Sequence, residues 1–497
     1  MSISDRVLSG RLLTRNVIWN LLGSGLPLLV ALWAIPLLVT GMGTDRFGLL
    51  TIIWMGVGYF SLFDLGIGRA LTKLVAERLG DGREAELPSL IQTGQRLMFL
   101  LGLCAALFVA FLTPWLAQDL LNIPEDLVQE VLFSFWLLAA SLPFVVSTAG
   151  FIGILQAHQK TSQIVAIRIP LGILNFVGPV LALTITPSLV ATTLVLCVTR
   201  SLAWLAFRRL CRPFTTAEQP FTGLKRAPAL ALLSFGGWVT ASNIIGPMMV
   251  YFDRFFIGAL LSMTAVTYYT TPYEVITRIW IFPEALGSVM FPALTTALVV
   301  NSERARNLFG VAARALLIVI FIPASLAILF APEALRLWLG QEFALASTSV
   351  LRWLAAGVFI NCLARLPSMT LQCTGRPDLN AKLHMAELPV YLLVLWLLIQ
   401  DYGIVGAAMA WTARIAVDTW LLFFLSMRQI PELRAEKLQT MFITIGATLV
   451  LAVLPLFQPI WLKICVAVII LVAGGGFAVR EIILLRTRSV IGDPVNF

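Results

Sequence analysis

Arginines and acids stand inside stretches of the chain that are otherwise apolar: Arg168, Arg200, Arg278, Arg314, Arg365 and Arg414, with Asp64, Glu274, Glu284, Glu387 and Asp418. Ionisable side chains are costly in hydrocarbon and are kept there where they face a cavity or a partner. The planar guanidinium offers a fork of donors that matches the oxygens of phosphate or carboxylate. The chemistry open to this set is therefore non-covalent: it could hold an anion, a phosphate-bearing one above all. Some members have a plainer reading. Glu274 and Arg278, like Arg414 and Asp418, are four residues apart and can neutralise each other on one helix face. Arg314 and Asp64 lie near the inner ends of their apolar runs and can reach an interface with the stem laid along apolar surface. Arg200 and Arg365 have no acid within one helical turn. Arg200 also lies about 18 Å deep at 1.5 Å per residue, too deep to reach an interface, and is the leading candidate to line a cavity. Tyr268, Tyr269, Tyr273, Trp238, Trp280 and Trp411 could stack on sugar rings, or could simply pack in a core or at a lipid interface.

The elements that position these groups must be membrane helices. Of the 497 residues, 59% are hydrophobic and only 12% are charged, with mean hydropathy +0.91; soluble domains carry roughly twice that share of charge. The net charge of +9 sits in short loops rather than on a solvated basic domain, which excludes nucleic acid as the partner. Two histidines and six cysteines without a CxxC spacing give no metal site and no disulfide framework. The absence of a GxxxxGK[ST] motif excludes nucleotide hydrolysis by this chain. The N-terminus is a short basic arm (Arg6, Arg11, Arg15) that runs into an apolar span, with no cleavable signal.

A crossing helix needs about 20 apolar residues. Fourteen stretches qualify: 16–40, 47–71, 94–117, 131–156, 164–185, 188–208, 230–252, 266–298, 307–330, 348–372, 380–400, 403–427, 439–457 and 460–484. Basic residues favour alternate loops (Lys73, Arg78 and Arg83; Arg208, Arg209, Arg212, Lys225 and Arg226; Arg304 and Arg306; Arg376; Arg428, Arg434 and Lys437), while the loop carrying Asp119, Glu125, Asp126 and Glu130 has none. That alternation places both termini in the cytoplasm; Arg46, Arg254, Arg336 and Lys463 break it. Faint internal matches recur at one offset: Leu155-Gln156 with Leu371-Gln372, Thr199-Arg200 with Ala413-Arg414, and Arg46-Phe47-Gly48 with Val266-Thr267-Tyr268, separated by 216, 214 and 220 residues. Six spans per repeat is an even number, so the repeat is parallel. The expected architecture is all-α: a six-helix bundle over 1–212, a cytoplasmic linker at 213–229, a second six-helix bundle over 230–430, and two extra helices with a tail over 431–497. The stretch from Asp253 to Leu298, with Pro272, Pro283 and Pro292, should bend and form one wall of a cationic lumen.

The run Asn20-Leu21-Leu22-Gly23, Pro36-Leu37-Leu38, Asp45-Arg46-Phe47-Gly48 and Phe63-Asp64-Leu65-Gly66-Ile67-Gly68 resembles the opening of the polysaccharide flippases. These are the O-antigen and exopolysaccharide exporters of the multidrug/oligosaccharidyl-lipid/polysaccharide (MOP) superfamily. Asp253-Arg254-Phe255-Phe256-Ile257-Gly258, Val266-Thr267-Tyr268-Tyr269 and Phe291-Pro292-Ala293-Leu294 resemble the same family, with Thr267 in place of a smaller residue before the tyrosine. The resemblance implies a non-enzymatic transporter of the bacterial inner membrane. It would flip undecaprenyl-pyrophosphate-linked oligosaccharide by alternating access. Arg200, Arg278, Arg365, Arg414 and Arg314 would form the anion site, and proton or sodium coupling would fall to Asp64, Glu274, Glu387 or Asp418, with no cofactor. A polysaccharide polymerase and a chain-length regulator are the implied partners. The competing readings are a multidrug or cation antiporter of the same superfamily, a lipid II flippase, and a membrane glycosyltransferase or polymerase; the last would need catalytic residues in a sizeable external loop.

Overall fold

A computed structural model describes residues 26–27, 29–61, 66–158, 160–215, 249 and 251–490. The regular elements among them are helical: α1 (Leu29–Met42), α2 (Thr44–Ser61), α3 (Ile67–Gly80), α4 (Leu87–Trp115), α5 (Val128–Ala157), α6 (Thr161–Leu183), α7 (Leu189–Thr215), α8 (Met263–Ile276), α9 (Ile281–Val300), α10 (Ser302–Leu329), α11 (Ala331–Leu339), α12 (Gln341–Cys373), α13 (Pro377–Gln429), α14 (Arg434–Val453) and α15 (Ile460–Val490), joined by short 3-10 and π turns. Nine helices among the described residues are long and apolar enough to cross a membrane. The chain is therefore an all-α, multi-pass membrane protein. One of the nine, within α13, covers two of the expected spans, 380–400 and 403–427. It runs for 53 residues, about 80 Å at 1.5 Å per residue, against a hydrocarbon core of about 30 Å, and is broken at Gly403 (φ 58°, ψ −137°). Of the expected span at 16–40 the part from residue 29 onward forms α1, while the span at 230–252 and the linker at 213–229 fall largely outside the described residues.

The helices pack as two units, one comprising the described residues up to Thr270 and the other those from Thr271 onward. The core of the first is apolar and dense, with Ile67, Leu71, Ile91, Met98, Ile154 and Phe207 buried together. In the second, Phe309, Ile320, Phe359, Trp411 and Phe423 are buried. The outward faces carry large apolar side chains such as Phe111, Val390, Phe442 and Trp461, the pattern of helices solvated by lipid rather than water.

Three of the four basic residues that break the loop-charge alternation prove to be tied into the protein. Arg46 makes a forked ion pair with Glu130, at 3.0 Å and 3.1 Å. Lys463, on α15, is buried and pairs with Glu333 of the short helix α11 at 2.7 Å. Arg254 is buried, with its guanidinium 5.4 Å from the centre of the Tyr251 ring. A cation neutralised or stacked in this way exerts little pull on topology. Lys437, expected in a cytoplasmic loop, lies in α14 and is fully buried. Its ammonium donates to the Ser426 carbonyl in the last turn of α13 at 2.8 Å, a carbonyl that also accepts the Ile430 N–H at 3.1 Å, at the helix end that carries partial negative charge. Lys437 and Lys463 thus fasten the two extra C-terminal helices to the second unit.

Thr44, the first residue of α2, and Thr264, near the start of α8, lie 220 residues apart, and their hydroxyl oxygens meet at 3.1 Å. Thr264 also donates to Asp45 at 2.5 Å, and Thr267 to the Thr44 carbonyl at 2.6 Å. Gly48 permits the contact: a Cβ there would collide with the Met263 carbonyl.

Gly403 and Gly406 make the reversal in α13. Gly403 takes the left-handed φ that side chains resist. Gly406 then packs against the Leu398 backbone carbonyl so closely that any Cβ would overlap it. Gly406→Val should destabilise the protein by about 2 kcal/mol or more, the cost of forcing backbone apart in a packed core. Thermal unfolding in detergent measures this against Gly446→Ala, where a Cβ meets nothing within 4 Å; equal melting temperatures for the two variants would contradict the assignment.

Candidate functional site

The sequence-selected residues are positioned by four local devices. In the first unit, Arg200 stands 11 residues into α7, about 17 Å along it. Its guanidinium donates to the Asn175 side-chain oxygen of α6 at 3.1 Å. Asn175 satisfies one arm of the fork without neutralising the charge. No sequence periodicity pointed to it, because the contact is between helices.

Arg278 sits in a 3-10 turn, Thr277–Trp280, that joins α8 to α9. Pro283 explains the turn: with no N–H, it leaves the Ile279 carbonyl without its usual i+4 donor, and the chain tightens there. Arg278 pairs with Glu274 at 3.3 Å and donates from Nε to the Glu274 carbonyl at 3.2 Å, so it is held against its own helix. Arg314 is half-buried on α10, with its guanidinium folded over Gly310.

The reversal at Gly403 brings together residues nearly symmetric about position 401. Arg414 approaches Glu387 at 4.0 Å and lies over the Tyr391 ring at 5.2 Å, and His384 approaches Asp418 at 3.3 Å. Arg414 and Asp418 therefore each find a partner on the opposite arm of α13. Glu387 is 9% exposed and Asp418 4%. Neither carboxylate oxygen of Glu387 accepts a hydrogen bond among the described residues. His384, one of the two histidines, is brought to face an acid only by the hairpin.

Arg365 differs from the others. It is exposed and makes no hydrogen bond or ion pair among the described residues. It lines a cavity of about 270 Å³ between α9, α10 and α12, together with Glu284, Gly287, Phe291, Leu316 and Met369. Asp64 lies outside the described residues, as does Trp238. The aromatic candidates divide: Tyr269, Tyr273 and Trp411 are core residues at 0%, 3% and 1% exposure. Tyr273 packs edge-on against both Trp280 and Trp411, and the Tyr269 hydroxyl donates to buried Asp253 at 2.5 Å. Their rings are filled by protein; only Tyr268 and Trp280 remain half-exposed.

The arrangement can hold anions at arginines in each unit and can carry a proton or small cation at the acids of α13. Comparison with known proteins bears on the family and the fold. Residues 13–298 match the polysaccharide biosynthesis protein family. A Shigella flexneri protein named as an O-antigen transporter is 29% identical over 423 residues, 83% of this chain and 97% of its own length. A Haloferax volcanii protein named as a low-salt glycan biosynthesis flippase is 28% identical over 196 residues, 39% of this chain and 41% of its own. Among solved structures, the inward-facing form of a multidrug resistance MATE family transporter of the MOP superfamily superposes with a TM-score of 0.68 at 16% identity, over 84% of this chain and 99% of that one. A MOP superfamily transporter from Pyrococcus furiosus, described as having a binding pocket of reversed polarity, gives 0.61 at 16%, over 85% and 96%. At that identity the structures speak to the fold alone.

Proposed function

The chain belongs to the polysaccharide biosynthesis protein family, and from that premise we propose that it flips undecaprenyl-pyrophosphate-linked oligosaccharide across the bacterial inner membrane by alternating access. It is a transporter and not an enzyme, a polysaccharide flippase on the MOP fold. The observation that carries the cargo assignment is Arg365: an arginine in an apolar helix, without a counter-charge at bonding distance, open to a cavity. A cation exporter would be ill served by such a residue. Arg200, Arg278, Arg314 and Arg414 extend the same preference for anions. Both termini are cytoplasmic in this reading, and a polymerase and a chain-length regulator act on the delivered repeat unit.

The test is complementation. Expression in a strain that lacks its own flippase but assembles the lipid-linked repeat unit should restore surface glycan. Resistance to cationic dyes with no restored glycan would instead favour the multidrug reading. Glycan lengthened in the absence of any polymerase would favour the enzyme reading.

Coupling falls to the α13 acids. Glu387 and Asp418 are the buried carboxyls that face Arg414 and the His384 imidazole across the hairpin, and they have few hydrogen bonds. Glu387→Gln combined with Asp418→Asn should uncouple export from the ion gradient. In vesicles, wild-type export should fall at least tenfold when the proton and sodium gradients are collapsed, whereas the double variant should be slow and indifferent to that treatment. Retained gradient dependence in the variant would move the coupling elsewhere, Glu274 and Asp64 being next in line.

A further inference from the structure

We infer that the short helix α11 is seated in the headgroup layer of the membrane, with Leu337 at the boundary of the acyl chains and Arg336 on the phosphate of an anionic phospholipid. Arg336 is the fourth of the basic residues that break the loop-charge alternation. The other three are held by protein groups. Arg336 is exposed and makes no hydrogen bond or ion pair among the described residues. Its neighbour Leu337 is 89% exposed, more than any other large apolar side chain among them. Of the two nearby acids, Glu333 is neutralised by Lys463 and Glu342 lies past the turn at Gly340. A cation and a leucine, adjacent and both uncovered, match a surface of anionic headgroups with an apolar layer beneath it.

The neighbours of α11 fix its level. α12 has 33 residues, about 50 Å against a hydrocarbon core of about 30 Å. Arg352, in its fourth turn, donates to the Ile328 carbonyl at the end of α10 at 3.3 Å. From Arg352 to Cys373 is about 32 Å, a full crossing, so the part of α12 before Arg352 lies outside the core. α11 is joined to the start of α12 by Gly340 alone and packs against that helix. Two tryptophans mark the same boundary. Trp353, beside Arg352, and Trp461, two residues before Lys463, are both exposed to the surroundings, and tryptophan collects where hydrocarbon meets headgroup. Lys463 is paired with Glu333, so the start of α11 stands at that level. Leu337 follows one helical turn later on the same face, about 6 Å further along. The headgroup layer is about 5–7 Å thick on each side of the core. The lipid-facing surface of α14 and α15 reaches this level through Leu456 and Trp461, and α11 extends it. With the termini cytoplasmic, as in the reading above, the leaflet is the outer one; the contact itself is the same on either side.

The experiment uses the full-length protein in nanodiscs of phosphatidylcholine. The six native cysteines are replaced, and a bimane label is attached through Leu337→Cys, at a side chain exposed enough to leave packing undisturbed. Lipid brominated near the headgroup should quench the label more strongly than lipid brominated near the chain end. Aqueous iodide should quench it several-fold less than a label at Asp126→Cys, on an exposed loop. Brominated phosphatidylglycerol, added as a minor fraction, should quench about fivefold more efficiently than the same fraction of brominated phosphatidylcholine, the enrichment expected for one cation at an anionic surface. Arg336→Gln should abolish that preference and Arg336→Lys should keep it. Iodide quenching at position 337 equal to that at 126, with no quenching by brominated lipid, overturns the seat and makes α11 a water-exposed or protein-covered surface. Equal quenching by the two brominated lipids with Arg336 in place overturns the phosphate contact. The flippase reading rests on complementation, which none of these measurements touches.

Discussion

Replacing Arg200 and Arg278 together by alanine is expected to abolish glycan export while leaving the protein in the membrane at its usual level. Each arginine already spends part of its fork on a protein acceptor: Arg200 on Asn175 at 3.1 Å, Arg278 on Glu274 at 3.3 Å. Neither is thereby consumed. A neutral amide leaves the Arg200 charge in place, and a half-exposed ion pair such as Arg278 with Glu274 (36% and 31% side-chain exposure) is worth only about 0–1 kcal/mol, so a phosphate can compete for it. A charge-assisted hydrogen bond to cargo is worth about 1.5–3 kcal/mol. Loss of two therefore predicts a fall in export of roughly a hundredfold or more, with each single variant near tenfold. Surface glycan and protein abundance are measured side by side. Arg200→Lys, which keeps the charge and loses the fork, should retain partial export. Full export from the double alanine variant would show that these arginines do not contact the cargo.

What could be read in the sequence follows the range of the interactions involved. Helices are specified locally, by runs of about 20 apolar residues, so ten of the fourteen expected spans correspond to helices of crossing length among the described residues. The Glu274–Arg278 pair is also local, one turn of helix, and is present. Contacts made across helices are invisible to periodicity. Asn175 behind Arg200, His384 facing Asp418, and the Lys437 ammonium on the Ser426 carbonyl each join residues whose separation encodes nothing. Burial is read poorly for the same reason. Tyr269, Tyr273 and Trp411 are of the type that binds sugars, yet their rings are filled by neighbours from other helices. Arg365 was one arginine among several in the sequence. It stands apart only once the cavity beside it and the absence of a bonded partner are seen. The charge-rule exceptions run the other way: Arg46 and Lys463 looked like noise in the topology, and their distant acids explain them.

Joining Thr44 to Thr264 covalently is expected to stop transport. The two hydroxyls are 3.1 Å apart, and cysteine sulfurs in their place would need only a small adjustment to reach the 2.0 Å bond length of a disulfide. The contact lies at the start of α2 and of α8, the ends that the loop charges place on the external side. It is reinforced by Thr264 to Asp45, by Thr267 to the Thr44 carbonyl, and by the Asn122 side chain donating to the Ala259 carbonyl at 2.9 Å. The bonds between neutral groups are worth about 0.5–1.5 kcal/mol net each, and the one to the Asp45 carboxylate about 1.5–3 kcal/mol. In the proposed reading a closure of this strength holds the outer end shut and parts in each cycle. Alternating access requires it to part; a covalent bond, at tens of kcal/mol, would not. The double variant Thr44→Cys, Thr264→Cys, made after replacing the six native cysteines, should export glycan under reducing conditions. It should lose at least 95% of that activity on mild oxidation and regain it with dithiothreitol. Each single cysteine variant should ignore the oxidant. Cross-linking demonstrated by mass spectrometry with export undiminished would mean that this end of the molecule never opens, and the alternating-access reading would fall with it.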